Sequence, residues 1–353
     1  MRRRLLASIG AVAAAIAVAS MTATPVAGQT PAAAKVRTAA PAKAYTPPRT
    51  ADGHPDLQGV WDFRNVIPLE RPSQFAGKEF LTDQEVAEYE KSAHERLDMD
   101  RRDEDPSRTP PVVNGAPATA DVARAYNEFW WDYGKKFVGS KRSSLIIDPP
   151  DGKIPPLTPA AKKRADEIAE RRARPAWGPE DRSIGERCLM GFNAGPPMLP
   201  GAYNNNMHLF QTPDYVAIVT EMVHTTRIVP LDGRPGVNVP QWSGNSRGHW
   251  EGNTLVIETK GFYDQTSFAN SSPNMHLIEK FSRVDADILM YEFTVSDPTT
   301  WTKPFTAQLP MRKSDESLFE YACHEGNYGL KGILSSARAV EKADAEAAKK
   351  GSK

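Results

Sequence analysis

Between Met207 and Tyr328 apolar and polar positions alternate with a period of two, and tight-turn residues interrupt the alternation at intervals. Gly248-His249-Trp250-Glu251-Gly252-Asn253-Thr254-Leu255-Val256-Ile257-Glu258 reads as strand, Gly-Asn turn, strand. Arg283-Val284-Asp285-Ala286-Asp287-Ile288-Leu289 repeats the scheme, and Arg312-Lys313-Ser314-Asp315-Glu316-Ser317-Leu318 repeats it again. Apolar and β-branched runs flanking Gly, Asn and Asp clusters are the sequence form of consecutive β-hairpins. The pattern predicts strands over 207–211, 215–223, 225–231, 247–250, 254–262, 276–284, 288–296, 305–312 and 318–325. With Gly59 to Phe63 they make about ten antiparallel strands in meander order, a sheet that normally closes into a barrel or folds into a sandwich. Strands do not alternate with helices here, which disfavours TIM and Rossmann designs.

Upstream the period changes. Thr82 can cap a helix, and Glu85 three residues on completes a capping box; that helix runs to about Leu97 and dissolves into the mixed-charge run Asp98 to Asp105. A second helix is expected over Ala120 to Tyr133, with Tyr126, Phe129, Trp130 and Tyr133 as a stripe that docks onto the core. Ser144 to Gly152 is a brief extended piece ended by a turn, and Thr158-Pro159 opens a third, solvent-facing helix to about Arg174. These helices either cover the mouth of the sheet as a lid or form a homo-oligomer interface.

Outside these elements the chain is punctuated. Arg2-Arg3-Arg4, an Ala-rich apolar run from Leu5 to Met21 and small residues at Val26-Ala27-Gly28 read as a secretory signal peptide over 1–28, because the run is short and alanine-heavy for a spanning helix. No other run is long enough to cross a bilayer. Residues 29–50 are a flexible leader of Ala, Pro, Lys and Thr. The organisation expected is therefore signal peptide, leader, an arm over 51–184, a β core over 185–331 and a charged tail over 332–353, in a periplasmic or secreted protein.

Lys plus Arg and Asp plus Glu are both 44, so there is no basic surplus for nucleic acid or an anionic membrane. Thirty prolines and 24 glycines in 353 residues fit a β-rich body with irregular arms rather than a helical bundle. In an oxidising compartment Cys188 and Cys323 can pair and close a long loop; Cys323, in phase with Phe319 and Tyr321, can equally be a buried free thiol.

Five of the seven histidines fall in the alternating region. His224, His249, His276 and His324 stand at or near strand ends, and acids follow three of them closely: Glu251, Glu279 and Glu325. An imidazole beside a carboxylate is what general acid/base catalysis requires, since the carboxylate sets the tautomer and steadies the imidazolium. Glu221 lies on a strand apolar on both faces and needs a partner when buried; Arg227 is the expected one, either as a structural ion pair or as the support of a tuned carboxylate. Tyr203, Asn204, Asn206, His208, Trp242, Trp250, Tyr291 and Tyr321 are candidates to read a ligand. No spacing is a metal signature, and there is no Gly-x-Ser-x-Gly elbow, P-loop or dinucleotide fingerprint, so no organic cofactor is expected; a divalent metal, which needs the His and carboxylate groups to converge from different strands, is the lesser alternative.

Gly59-Val60-Trp61 resembles the opening of lipocalin-like barrels, in which an early Gly-x-Trp strand closes the barrel floor. The segments Ser144 to Pro150, Glu186-Arg187-Cys188, His249 to Leu255, Phe281 to Pro298 and Tyr321-Ala322-Cys323-His324-Glu325-Gly326-Asn327-Tyr328 look like a family of secreted proteins from environmental bacteria. That resemblance implies export and assigns no catalytic role. Two functions fit. One is an exported lyase, isomerase or hydrolase using His and carboxylate groups at a barrel mouth on a small organic molecule. The other is a lipocalin-like binding protein for an apolar or aromatic ligand.

Overall fold

The computed structural model describes residues 45–98, 112–113, 116–117, 130–265 and 268–351. The expected signal peptide, and the part of the expected second helix before Trp130, lie outside them. The remainder of that helix is not helical: Trp131 to Tyr133 carry no regular structure.

In chain order the described elements are β1 (Gly59–Asp62), α1 (Asp83–Leu97), β2 (Val112–Val113), β3 (Ala116–Pro117), β4 (Ile146–Asp148), α2 (Pro159–Ala173), β5 (Asn206–Gln211), β6 (Tyr215–Thr220), β7 (Thr226–Pro230), β8 (Asn245–Glu251), β9 (Thr254–Lys260), β10 (His276–Arg283), β11 (Ile288–Ser296), β12 (Phe305–Ser314) and α3 (Tyr328–Gly351). Apart from the small β2–β3 hairpin, the strands form one ten-stranded antiparallel sheet ordered β7-β6-β5-β1-β12-β11-β10-β9-β8, with β4 also paired to β12.

Two runs of consecutive hairpins, β5 to β7 and β8 to β12, are joined through β1. That strand pairs with β5 on one side (Trp61 opposite Met207) and with the end of β12 on the other (Trp61 opposite Lys313). The ladder is open between β7 and β8 and does not close into a barrel by hydrogen bonds. The two edges still approach: a Cβ on Gly248 of β8 would lie 2.7 Å from a Leu231 methyl and 3.0 Å from one of Val229, so glycine is what fits there.

Strict alternation supplies the core. Leu289, Tyr291, Phe293 and Val295 of β11 stand opposite Met311, Leu309, Ala307 and Phe305 of β12, and all eight are fully buried. Leu277 and Phe281 of β10, Leu255 and Ile257 of β9, Val216 and Ile218 of β6, and Met207 and Leu209 of β5 join the same cluster. Each fully buried Leu, Ile, Val, Phe or Met side chain among them contributes roughly 1.5–3 kcal/mol. Trp61 lies within it, its indole donating to the Leu57 carbonyl at 2.9 Å, and the Arg283 guanidinium stands 5.5 Å from its ring centre.

Inside this apolar layer sits one ion pair. The Arg227 guanidinium donates to both Glu279 oxygens, at 2.6 and 2.8 Å, and the Tyr291 hydroxyl donates to Glu279 at 2.8 Å. Arg227 on β7 therefore pairs with Glu279 on β10, and not with the expected partner Glu221. A buried charge takes the partner that the inward phase presents to it, whatever the sequence distance.

The helices begin where their caps place them. Thr82 accepts from the Glu85 amide at 3.2 Å, and the Glu85 carboxylate accepts from the Thr82 amide at 2.9 Å. Thr158 accepts from Ala161 at 3.1 Å, with Pro159 in the first turn.

Two expected strands are corrected. The one expected over 215–223 stops at Thr220; Met222 to His224 form a 3-10 turn in which Val223 and His224 have φ of 57° and 36°. The one expected over 318–325 is absent. β11 and β1 already flank the end of β12, so no position beside β12 is left, and the alternation there leaves Phe319 70% exposed.

Candidate functional site

The segment after β12 runs back over the sheet instead of joining it. Cys323 is disulfide-bonded to Cys188, 135 residues earlier, with a Cα separation of 5.7 Å. Asn327 reinforces the junction, donating to the Glu186 carbonyl at 3.0 Å and to Cys188 Sγ at 3.3 Å, while its own oxygen accepts from the Leu330 amide and caps α3. The Glu186-Arg187-Cys188 and Cys323-to-Asn327 motifs, far apart in sequence, thus form one structural unit.

A third segment meets this junction, the turn after β6. Glu221 organises it. Its buried carboxylate accepts from the Asn206 amide group and from the Phe319 backbone N–H, both at 3.0 Å, so it ties β5 to the segment that carries Cys323. The turn itself is tight. Thr220 donates to Thr225 at 2.9 Å, and Gly191 lies so close beneath that a Cβ there would fall 2.1 Å from Met222 Cγ. Val223 is β-branched and left-handed, a backbone conformation found where surrounding contacts impose it.

Where these three segments meet a fourth, residues 240–243, is a cleft of about 500 Å³. One wall is Cys188, Leu189 and Met190; a second is Val223, His224, Thr225 and Thr226; a third is Pro240, Gln241, Trp242 and Ser243; His324 projects from the C-terminal segment. Cys188 and the Val223–His224 pair account for three of the six non-glycine residues with positive φ among the described residues. Trp242 packs against Tyr263, with ring centres 4.6 Å apart, and has the Arg187 guanidinium 5.8 Å from its ring centre. Arg187 in turn donates to Gln265 at 2.9 Å. Among the described residues, no Asp, Glu, Lys or Arg lines the cleft.

Of the residues singled out in the sequence, the fold brings together His224, His324, Trp242 and Cys188 here, with Cys323 at the disulfide and Glu221 as the support beneath. Glu325 follows His324 but is exposed and lines no wall. The other histidines are dispersed. His249 pairs with Glu251 at 3.1 Å on an exposed hairpin end, and His276 lies 2.7 Å from Glu258 on the outer face, not beside Glu279. The expected four-histidine constellation is therefore two surface pairs and one cleft. Strand-end histidines share a site only when their strands end at the same rim, and these do not.

The expected ligand-reading residues divide similarly. Tyr291 is fully buried and accepts from the Met198 amide at 3.2 Å; burial, reinforced by Glu279, holds its pKa well above the usual value. Arg227 is also internal: burial alone would depress its pKa, and Glu279 overrides that, leaving it above the ordinary value. Neither faces a cleft. Asn206 serves Glu221, Trp250 stacks on His54 at 4.7 Å, and His208 stacks on Phe210 at 3.8 Å, with desolvation lowering its pKa. Tyr203 and Tyr321 stack at 6.0 Å, and Asn204, at φ 53°, gives its carbonyl to Asn193.

Leu189, Met190, Val223 and Pro240 carried no chemical signal in the sequence. Only the supposition of a Cys188–Cys323 bridge, drawing attention to their neighbours, could have pointed to the first two. Among the described residues, no three His, Cys, Asp or Glu side chains converge as a metal-ligand set, and no helix is long and apolar enough to cross a membrane. No family model and no curated protein matches the chain.

Proposed function

We propose that this is an exported protein that binds a small, partly apolar organic molecule in the cleft beside the Cys188–Cys323 disulfide. One observation carries the reading: four separated segments converge on a concave site that sets apolar Leu189, Met190, Val223, Pro240 and Trp242 beside polar imidazole, hydroxyl and amide groups, with no Asp, Glu, Lys or Arg among the described residues that line it. That is the composition of small-molecule sites generally, and about 500 Å³ lies within their usual range. The disulfide supports export, because such bonds persist in oxidising compartments.

We further read the sheet as a barrel-like scaffold. Gly248 packs against Val229 and Leu231 across the open edge, and Arg227 reaches Glu279 across the interior. Aromatic and aliphatic side chains fill that interior, which favours a rim site over a lipocalin-like central cavity.

Binding of Nile red, a neutral aromatic dye, tests the site. The disulfide-bonded protein is expected to bind it saturably at one site, and Trp242→Ala or Leu189→Glu to abolish that binding with the far-UV circular dichroism unchanged. Absence of binding, or binding indifferent to both substitutions, overturns the reading.

A second reading, an enzyme using His224 and His324 as acid and base, is favoured by the left-handed backbone at Val223 and His224, since strain of this kind concentrates at catalytic sites. Native mass spectrometry of protein from its own host separates the two. A retained intact ligand supports binding, and a chemically altered one after incubation supports catalysis.

A further inference from the structure

The polar side chains of the cleft share a property that its volume does not reveal. The imidazoles of His224 and His324, the hydroxyls of Thr225, Thr226 and Ser243, and the Gln241 amide can each donate a hydrogen bond, and no side-chain anion stands among them to accept one. Glu221, three residues before His224, is buried, and its carboxylate accepts from Asn206 and Phe319. Glu325 lies outside the walls. The Arg187 guanidinium adds a positive charge 5.8 Å from the Trp242 ring centre.

We propose that the cleft selects an aromatic carboxylate. This rests on the small-molecule reading of the same site and names its ligand class. The planar body lies against Trp242 and the Leu189 side of the cleft, and the carboxylate accepts from His224 and His324. Hydrogen bonds to an ionised acceptor are about twice as strong as neutral ones. A ligand lacking the charge makes only the weaker neutral hydrogen bonds to the same donors, and that difference is the discrimination. An ammonium ligand meets no anion in the walls. A nucleic-acid strand, whose bases could also stack on Trp242, needs a basic groove that these walls do not provide.

Isothermal titration of the disulfide-bonded protein with three probes of one shape tests this: 2-naphthoate, 2-naphthamide and 2-naphthylmethylammonium. The carboxylate is expected to bind about tenfold or more tighter than the amide, and the ammonium weakest. In the His224→Ala, His324→Ala double variant the acid is expected to fall to the level of the amide. Retained amide binding there shows that the apolar wall, and the fold, are intact. Equal affinity of acid and amide for the unmodified protein overturns the carboxylate proposal and leaves the small-molecule reading standing. Failure of all three to bind overturns both. A preference that survives loss of both imidazoles overturns their assignment as the carboxylate's partners.

Discussion

The guanidinium of Arg227 and the carboxylate of Glu279 are joined by two hydrogen bonds, 2.6 and 2.8 Å, with side-chain exposures of only 4% and 0%. β6, β5, β1, β12 and β11 separate their strands along the ladder, so the sheet must coil for them to meet. Removing one partner strands a charge in the core and is expected to cost about 3–5 kcal/mol. Glu279→Ala should therefore lower the urea midpoint sharply, whereas Arg227→Met combined with Glu279→Leu, which removes both charges, should recover most of the loss. A double variant no more stable than Glu279→Ala alone would show that the pair contributes more than mutual compensation.

Tyr291 makes alkaline stability the informative pH range. Its phenol is held neutral by burial and by the neighbouring Glu279, so its folded pKa lies well above that of the unfolded chain, about 10. The sign follows: the contribution is complete below pH 10 and is lost as the pH rises toward the folded value, because only the unfolded chain releases the proton. Stability should decline above pH 10. In a titration at 295 nm Tyr291 should ionise only with unfolding, and Tyr291→Phe should remove that late component.

The disulfide closes a loop of 135 residues and is expected to stabilise the fold by about 5 kcal/mol in the chain-entropy estimate. Denatured, unreduced protein should contain no free thiol. Cys188→Ser with Cys323→Ser should lower the melting temperature and weaken Nile red binding, since the bond joins two sides of the cleft. One free thiol per cysteine in the unreduced protein would refute the pairing.

The turn that presents His224 gives two substitutions of opposite effect. Val223→Gly relieves a left-handed β-branched residue and should stabilise the protein by about 1 kcal/mol. Gly191→Ala forces a Cβ into Met222 and should destabilise it by about 1–3 kcal/mol. Thermal melts measure both, and a stable Gly191→Ala protein would mean that the turn is looser than this packing requires.

How far the residues announce the structure depends on the range of the contacts involved. The 288–296 strand coincides with β11, and the Thr82–Glu85 cap begins α1, because both follow from patterns spanning a few residues. Alternation over 318–325 misled: period two records which side chains are covered, and there the cover comes from the Cys188 and Tyr203 loops rather than a neighbouring strand. Likewise, Glu221 at the end of a doubly apolar strand identified a buried acid correctly, but its partners lie on β5 and at Phe319, while Arg227 crosses to β10.

By itself the sequence determined the β-rich class, most strand positions, the helix starts and the absence of a basic surplus, since these are set by local periodicity, capping and composition. Only the tertiary structure decided that Cys188 and Cys323 pair, that β1 links two hairpin runs, and that His224 and His324 share a cleft while His249 and His276 do not. Those outcomes depend on which distant segments pack together, and packing is specified by the shape and polarity of whole surfaces, not by the spacing of residues along the chain.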